Sequence, residues 1–160
     1  MNMNLENKKK IEGILLVANT HAERIKSALD YVARNNLAPV SVAIIHKFNF
    51  EDMAAFELLT NRFAKLQDHL GAKVFPLILD LTLENDTSYT NIDRLNKLEK
   101  INYLESAEKW HEMRVIRNHF THEYPDNIDL TVSNLNQAIE ISRQLLLYWD
   151  GLKEKINKLL

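Results

Sequence analysis

The segment from Asn49 to Gly71, NFEDMAAFELLTNRFAKLQDHLG, carries helical signals at its start, along its length and at its end. Asn49 stands three residues before Asp52, an N-cap followed by an acid in the first turn, where the helix dipole favours negative charge. Phe56, Leu59, Phe63, Leu66 and Leu70 then recur at the alternating three- and four-residue spacing of a helix packed in a bundle. Gly71 is the expected stop.

The same period extends in both directions. Upstream, Ile11, Leu15, Ala18, Ile25, Leu29 and Val32 trace one face of a helix closed by Asn35-Asn36 and Pro39. The short apolar run Val40 to Ile45 has no second strand candidate to pair with, so it reads as a buried connection or a helix. Downstream, Ala72 to Leu83 is apolar with Pro76 near the first turn of a short helix, where a missing N–H costs little. Glu84 to Thr90 is a polar loop. Thr90 with Asp93 caps a short helix from Asn91 to about Ile101, and Ser106 caps the next, which is expected to run towards Tyr124. Pro125-Asp126-Asn127 breaks the chain before a last long helix carrying Leu135, Ile139, Leu145 or Leu146, Trp149, Leu152, Ile156 and Leu159. The expected fold is all-α: a single domain over residues 1–160, an up-and-down helical bundle of four main helices plus one or two short ones.

Composition agrees and narrows the function. The chain has 160 residues, 46% hydrophobic and 26% charged, enough for one domain with its own core. Three glycines and three prolines are too few for a fold of many hairpins. The lack of cysteine excludes disulfides, thiolate zinc sites and thiol nucleophiles. With 20 Lys+Arg against 22 Asp+Glu there is no global basic field, so contact with a polyanion must come from a local cluster. No apolar run reaches the ~20 residues of a membrane span, and the expected location is the cytoplasm.

Chemistry concentrates between Trp110 and Pro125, WHEMRVIRNHFTHEYP. Wound at about 100° per residue, Trp110, Met113, Arg117, Phe120 and Tyr124 share one stripe, which puts an arginine on the face expected to be buried. A guanidinium there needs a carboxylate, a helix C-terminus or an anionic ligand, because burying it unpaired would cost several kcal/mol. An internal ion pair or an arginine snorkelling over apolar neighbours is the plain structural reading. The histidines point further: His111, His119 and His122 stand near Arg114 and Arg117, and His122 follows Asn118 by four residues. Histidine moves its proton near neutral pH, so this grouping suits acid–base chemistry on a phosphodiester with the 2′-OH of RNA as nucleophile and without a metal or other cofactor. Arg117 and His122 lie about 140° apart on a regular helix, so they converge only if the helix distorts before Pro125 or a second copy completes the site. Metal binding by His119 and His122, with Glu123 adjoining, lacks a third ligand at a suitable distance and any His-Glu-x-x-His pattern. A helix-turn-helix over Asn91–Ile101 and the helix after Ser106 would present Glu105, Glu108 and Glu112 to phosphates, and is set aside. His21, His46 and His69 read as isolated surface or core groups.

Arg117-Asn118, three residues, His122, one residue and Tyr124 resembles the Arg-Asn-x-x-x-His-x-Tyr signature of HEPN domains, and more narrowly that of the HepT-like toxins paired with minimal nucleotidyltransferases. Ser106 to Trp110, Met113-Arg114 and Pro125 read similarly, so the resemblance covers about twenty residues. It implies a metal-independent ribonuclease acting as a homodimer, with the two motif helices facing each other across a shared cleft. Arg117 would then stabilise the charged transition state and His122 would be the acid–base residue. Asn118 would orient the phosphate or His122, with Arg114, His119 and His111 as further RNA contacts. Tyr124 would be the hydroxyl that the nucleotidyltransferase antitoxin modifies with AMP, whose added phosphate would fill the cleft and exclude RNA. The alternative is a non-catalytic helical partner or substrate-binding subunit of a nucleotidyltransferase.

Overall fold

The computed structural model describes residues 4–120, 122 and 124–160. Its described residues form helices and no strands: α1 Leu5–Arg34, α2 Val42–Ile45, α3 Phe50–His69, a π-helical turn Leu70–Val74, α4 Phe75–Leu81, α5 Asn91–Lys100, α6 Ala107–His119 and α7 Ile128–Asn157. The fold is an all-α helical bundle. Among the described residues no helix is long and apolar enough to cross a membrane.

Local chemistry starts most of these helices. The Asn49 side chain accepts from the Asp52 N–H at 2.8 Å, and the Asp52 carboxylate accepts from the Asn49 N–H at 3.1 Å, a reciprocal capping box. Asp52 also accepts from the Tyr31 hydroxyl at 2.8 Å, which ties the start of α3 to the end of α1. Thr90 and Asp93 repeat the box on α5, and Ser106 caps α6 by accepting from the Lys109 N–H. The run at 40–45 is a connection followed by a helical turn: the buried Val40 exchanges two hydrogen bonds with the Asn136 amide of α7, at 2.7 and 3.0 Å, before the single turn of α2, none of whose residues is fully buried.

Side-chain pairs fix the direction of packing. Ile14, His21 and Tyr31 along α1 meet His69, Arg62 and Asp52 along α3, in opposite order, so the two helices run antiparallel. Against this pair lies α7, whose fully buried Trp149 donates its indole N–H to Asn19 of α1 at 3.0 Å. Ile25, Leu59, Phe63, Leu66, Phe75, Leu145 and Ile156 complete the centre of the core.

Gly71 does not end α3. The helix continues through the π turn, where the Phe75 N–H reaches back to the Leu70 carbonyl, and α4 follows with Pro76 in its first turn. Leu70, Val74, Phe75 and Ile78 are all buried, so apolar burial carries the helix past the glycine. The widened turn accommodates the proline without a break. The helix after Ser106 also departs from expectation, ending at His119 rather than running to Tyr124. The Phe120 N–H bonds to the Arg117 carbonyl in a tightened last turn, and Tyr124, preceding Pro125, is disfavoured from helical geometry.

Three helices end in the same way. Leu37, Glu84 and Tyr103 each donate back to the residue that closes a Schellman motif (Val32, Leu79 and Leu98), with Asn36, Leu83 and Asn102 at positive φ. Asparagine tolerates that conformation, whereas leucine bears the full Cβ clash. Leu83 has φ 59° and is 82% exposed, so its side chain returns little packing. Leu83→Gly is therefore expected to raise stability by about 1 kcal/mol, seen as a Tm about 2–4 °C higher. A Tm that stays level or falls would show that the leucine packs better than its exposure suggests.

Candidate functional site

Arg117 lies in the last turn of α6, and its side chain is 17% exposed. Trp110, one face-repeat earlier, meets Phe75 at a tilt with ring centroids 4.8 Å apart, and Phe120, just past the helix, meets Phe63 edge-on at 5.9 Å. Those apolar anchors press the α6 stripe onto α3 and α4 and carry the arginine inward with them. Its charge is answered by a carboxylate: Arg117 Nη1 donates to Asp68 of α3 in a close ion pair, and Nη2 reaches the Asn118 side-chain oxygen at 3.4 Å. Asp68 itself is 61% exposed, so the pair is wet on one side only.

Arg117 opens onto a cavity of about 440 Å³ enclosed by α3, the π turn, α5 and α6. Arg94 and Arg114 line it as well, so among the described residues three arginines share one space with the single carboxylate of Asp68. Phe75, Leu95 and Trp110 form apolar wall, while Gln67 and Asn91 supply amides. Gln67 is 2% exposed, and neither its side-chain oxygen nor its nitrogen has a hydrogen-bond partner; Arg94 Nε is likewise buried and unpartnered. Such groups cost about 1–3 kcal/mol each when left unsatisfied.

Comparison of the chain with protein-family models, with curated proteins and with solved structures returned no match.

The remaining predicted residues, Arg114 apart, are not among those that line this cavity. His122 is exposed and non-helical and is absent from the cavity wall. Asn118 adjoins Arg117 and is exposed, as are His111 and His119 on α6. Tyr124 is half-buried and opens the turn over Pro125-Asp126, with the Asn127 N–H bonded to its carbonyl at 3.1 Å. Glu123, the third residue weighed as a metal ligand, lies outside the described residues. Among the described residues no group of three His, Asp or Glu side chains is placed to hold a metal ion. On its other flank α6 borders a groove of about 700 Å³ against α7, lined by Met113, Ile116, Ile141 and the 75%-exposed Leu147.

One sequence expectation is corrected by contacts from distant helices, and one buried polar residue had no sequence reading at all. Gln67 occupies the fourth position after Phe63 and the third before Leu70, a polar residue on a core stripe that could have been noticed. His21 and His69 are not isolated: their rings meet edge-on at 6.2 Å, His69 donates Nε2–H to the Ile14 carbonyl at 2.8 Å, and Arg62 donates to His21 Nδ1 at 3.1 Å. Arginine can only donate, so His21 must keep that nitrogen unprotonated. Burial, then the charges of Arg62, His69 and Lys65, hold its pKa below the ordinary 6.5. In the unfolded chain His21 takes up a proton near that value while the folded form resists it, so stability is full above about pH 6.5 and declines as pH falls below it. The urea midpoint should therefore drop less between pH 7.5 and 5 for His21→Gln than for the parent. Equal drops would remove His21 from the acid response.

Proposed function

We propose that the chain is a metal-independent endoribonuclease of the HEPN type, acting in the cytoplasm as a homodimer and controlled by a nucleotidyltransferase antitoxin. The observation that supports this reading is the arrangement at the end of α6: a partly buried guanidinium at Arg117, and an exposed imidazole at His122 just beyond the helix. Across a dimer the two groups can be supplied to one phosphate by different subunits, which removes the need for them to converge within a chain. The groove between α6 and α7 offers apolar surface for that association.

The chemistry needs only these groups. His122 takes the proton of the 2′-OH, the 2′-oxygen attacks phosphorus, and the P–O5′ bond breaks. The leaving oxygen is protonated from water, to which His122 returns its proton, and Arg117 stabilises the charge that develops on the phosphoryl oxygens. The products are a 2′,3′-cyclic phosphate and a 5′-hydroxyl. Single-stranded RNA incubated with the purified protein in EDTA should yield those ends. Intact RNA, or cleavage only on adding a divalent metal, would defeat the mechanism. AMP placed on Tyr124 by a cognate nucleotidyltransferase should appear as added mass on its tryptic peptide, together with loss of cleavage.

A second reading is favoured by one contact. The Asp68 carboxylate already occupies the Arg117 guanidinium, as it would in a non-catalytic helical subunit that partners a nucleotidyltransferase. Cleavage of RNA separates the two.

A further inference from the structure

We propose that His21 of α1 with Arg62, Lys65 and His69 of α3 forms a binding site for a single phosphate-type oxyanion, taken up together with a proton. The site lies between α1 and α3 and shares no residue with the cavity around Arg117. Helix packing brings its groups together. The His21 and His69 rings meet edge-on with centroids 6.2 Å apart, and Arg62 Nη1 donates to His21 Nδ1 at 3.1 Å. The charges that act on His21 are those of Arg62, His69 and Lys65, all from α3. Among the described residues no carboxylate of α1, α3, the π turn or α7 joins them. Basic side chains gathered without an acid repel one another as they charge, and an anion relieves that repulsion.

The second observation is what Arg62 leaves unused. Its Nε is buried with no hydrogen-bond partner, while Nη1 is spent on a neutral imidazole. A guanidinium binds most strongly when two of its N–H groups donate together to one oxyanion. The link to the proton follows from counting donors. His21 accepts from Arg62 only while Nδ1 is unprotonated, and His69 already donates Nε2–H to the Ile14 carbonyl at 2.8 Å. Protonation turns His21 Nδ1 from acceptor to donor, which breaks the bond and frees the guanidinium to turn. Arg62, the His21 Nδ1–H and the exposed Lys65 ammonium then all present donors, and one oxyanion can accept from them. Burial and the three neighbouring cations hold the ring neutral when no anion is present. An anion favours the charged ring, so anion and proton each strengthen the binding of the other. These groups offer charge and donors, and so recognise the oxyanion rather than an organic body attached to it.

Isothermal titration of the full chain with sulfate at pH 5.5 and 7.5, at fixed ionic strength, tests this, because the charge of sulfate is the same at both. The parent should bind sulfate about ten-fold more tightly at pH 5.5, and sulfate should raise its Tm there. In NMR, the titration midpoint of the His21 ring should move up when sulfate is present. His21→Gln should keep weak binding and lose most of the pH dependence. Arg62→Gln should lose binding at both pH values, and Lys65→Gln, at an exposed position that does not endanger folding, should weaken it. Arg114→Gln, in the cavity beside α6, should bind as the parent does. The proposal is overturned if sulfate does not bind at pH 5.5, if its affinity is equal at both pH values, or if His21→Gln keeps the full pH dependence. It is also overturned if Arg62→Gln and Lys65→Gln bind as the parent does, or if Arg114→Gln alone loses binding, which would place the anion beside α6. Inorganic phosphate and a 5′-phosphorylated RNA oligomer, each compared between the parent and Arg62→Gln at pH 5.5, separate free phosphate from phosphate carried on a chain: the ligand is the one whose binding Arg62→Gln abolishes.

Discussion

His122→Ala is expected to lower RNA cleavage in EDTA by about 10²–10⁴-fold, the usual contribution of a positioned acid–base group, while leaving Tm within a degree or two of the parent. The separation of these two effects follows from where the side chain sits. His122 is exposed in the stretch beyond α6, so trimming it removes no packing, and surface substitutions of that kind usually shift stability by less than about 0.5 kcal/mol. His119 is also exposed, one residue before the helix cap, and is the nearest rival for the proton. His119→Ala made alongside therefore locates the base: activity lost there and kept in His122→Ala would exchange the two roles. Full activity in both variants would leave the cleavage without an imidazole and end the ribonuclease assignment as stated.

How much of this was visible in the sequence depends on the range of the interactions involved. Asn49, Thr90 and Ser106 act on backbone groups three residues away, and their caps stand where the local pattern puts them. The core stripe Phe56, Leu59, Phe63, Leu66 and Leu70 was legible for the same reason, since helical period alone selects a face. Gly71 misled because its effect as a stop is weak against the burial of Leu70, Val74 and Phe75, which depends on α1, α6 and α7 being present. The arginine on the α6 stripe announced that a charge partner was required, yet nothing local identified Asp68, forty-nine residues earlier. The cavity was least legible of all. Gln67, Arg94 and Arg114 come from three helices, and each alone looks like an ordinary surface or helix-filling residue until packing sets them around one space.

The Arg117–Asp68 pair gives the second large effect, and its asymmetry decides between catalysis and architecture. Arg117→Ala is expected to lower cleavage by about 10²–10³-fold, as loss of one preorganised donor to a developing phosphoryl charge does. The fold should survive it, because the carboxylate left behind belongs to a 61%-exposed residue that water can solvate, as at an exposed ion pair worth about 0.2–1 kcal/mol. Removing the other partner is the harsher change for stability. Asp68→Asn leaves the charge of an arginine side chain only 17% exposed, on a cavity lined by two more arginines, so its urea midpoint should fall further than that of Arg117→Ala. Phosphate in the buffer should restore part of that midpoint, since an anion can take the place the carboxylate held. If Arg117 serves only the architecture, the difference disappears: Arg117→Ala loses the dimer or the fold, by light scattering and urea titration, and Asp68→Asn matches it within error, because a purely structural pair is lost equally from either side. Retained dimer with lost cleavage in Arg117→Ala assigns the guanidinium to the phosphate. An unaltered cleavage rate in that variant removes it from the chemistry, whatever the pair contributes to packing.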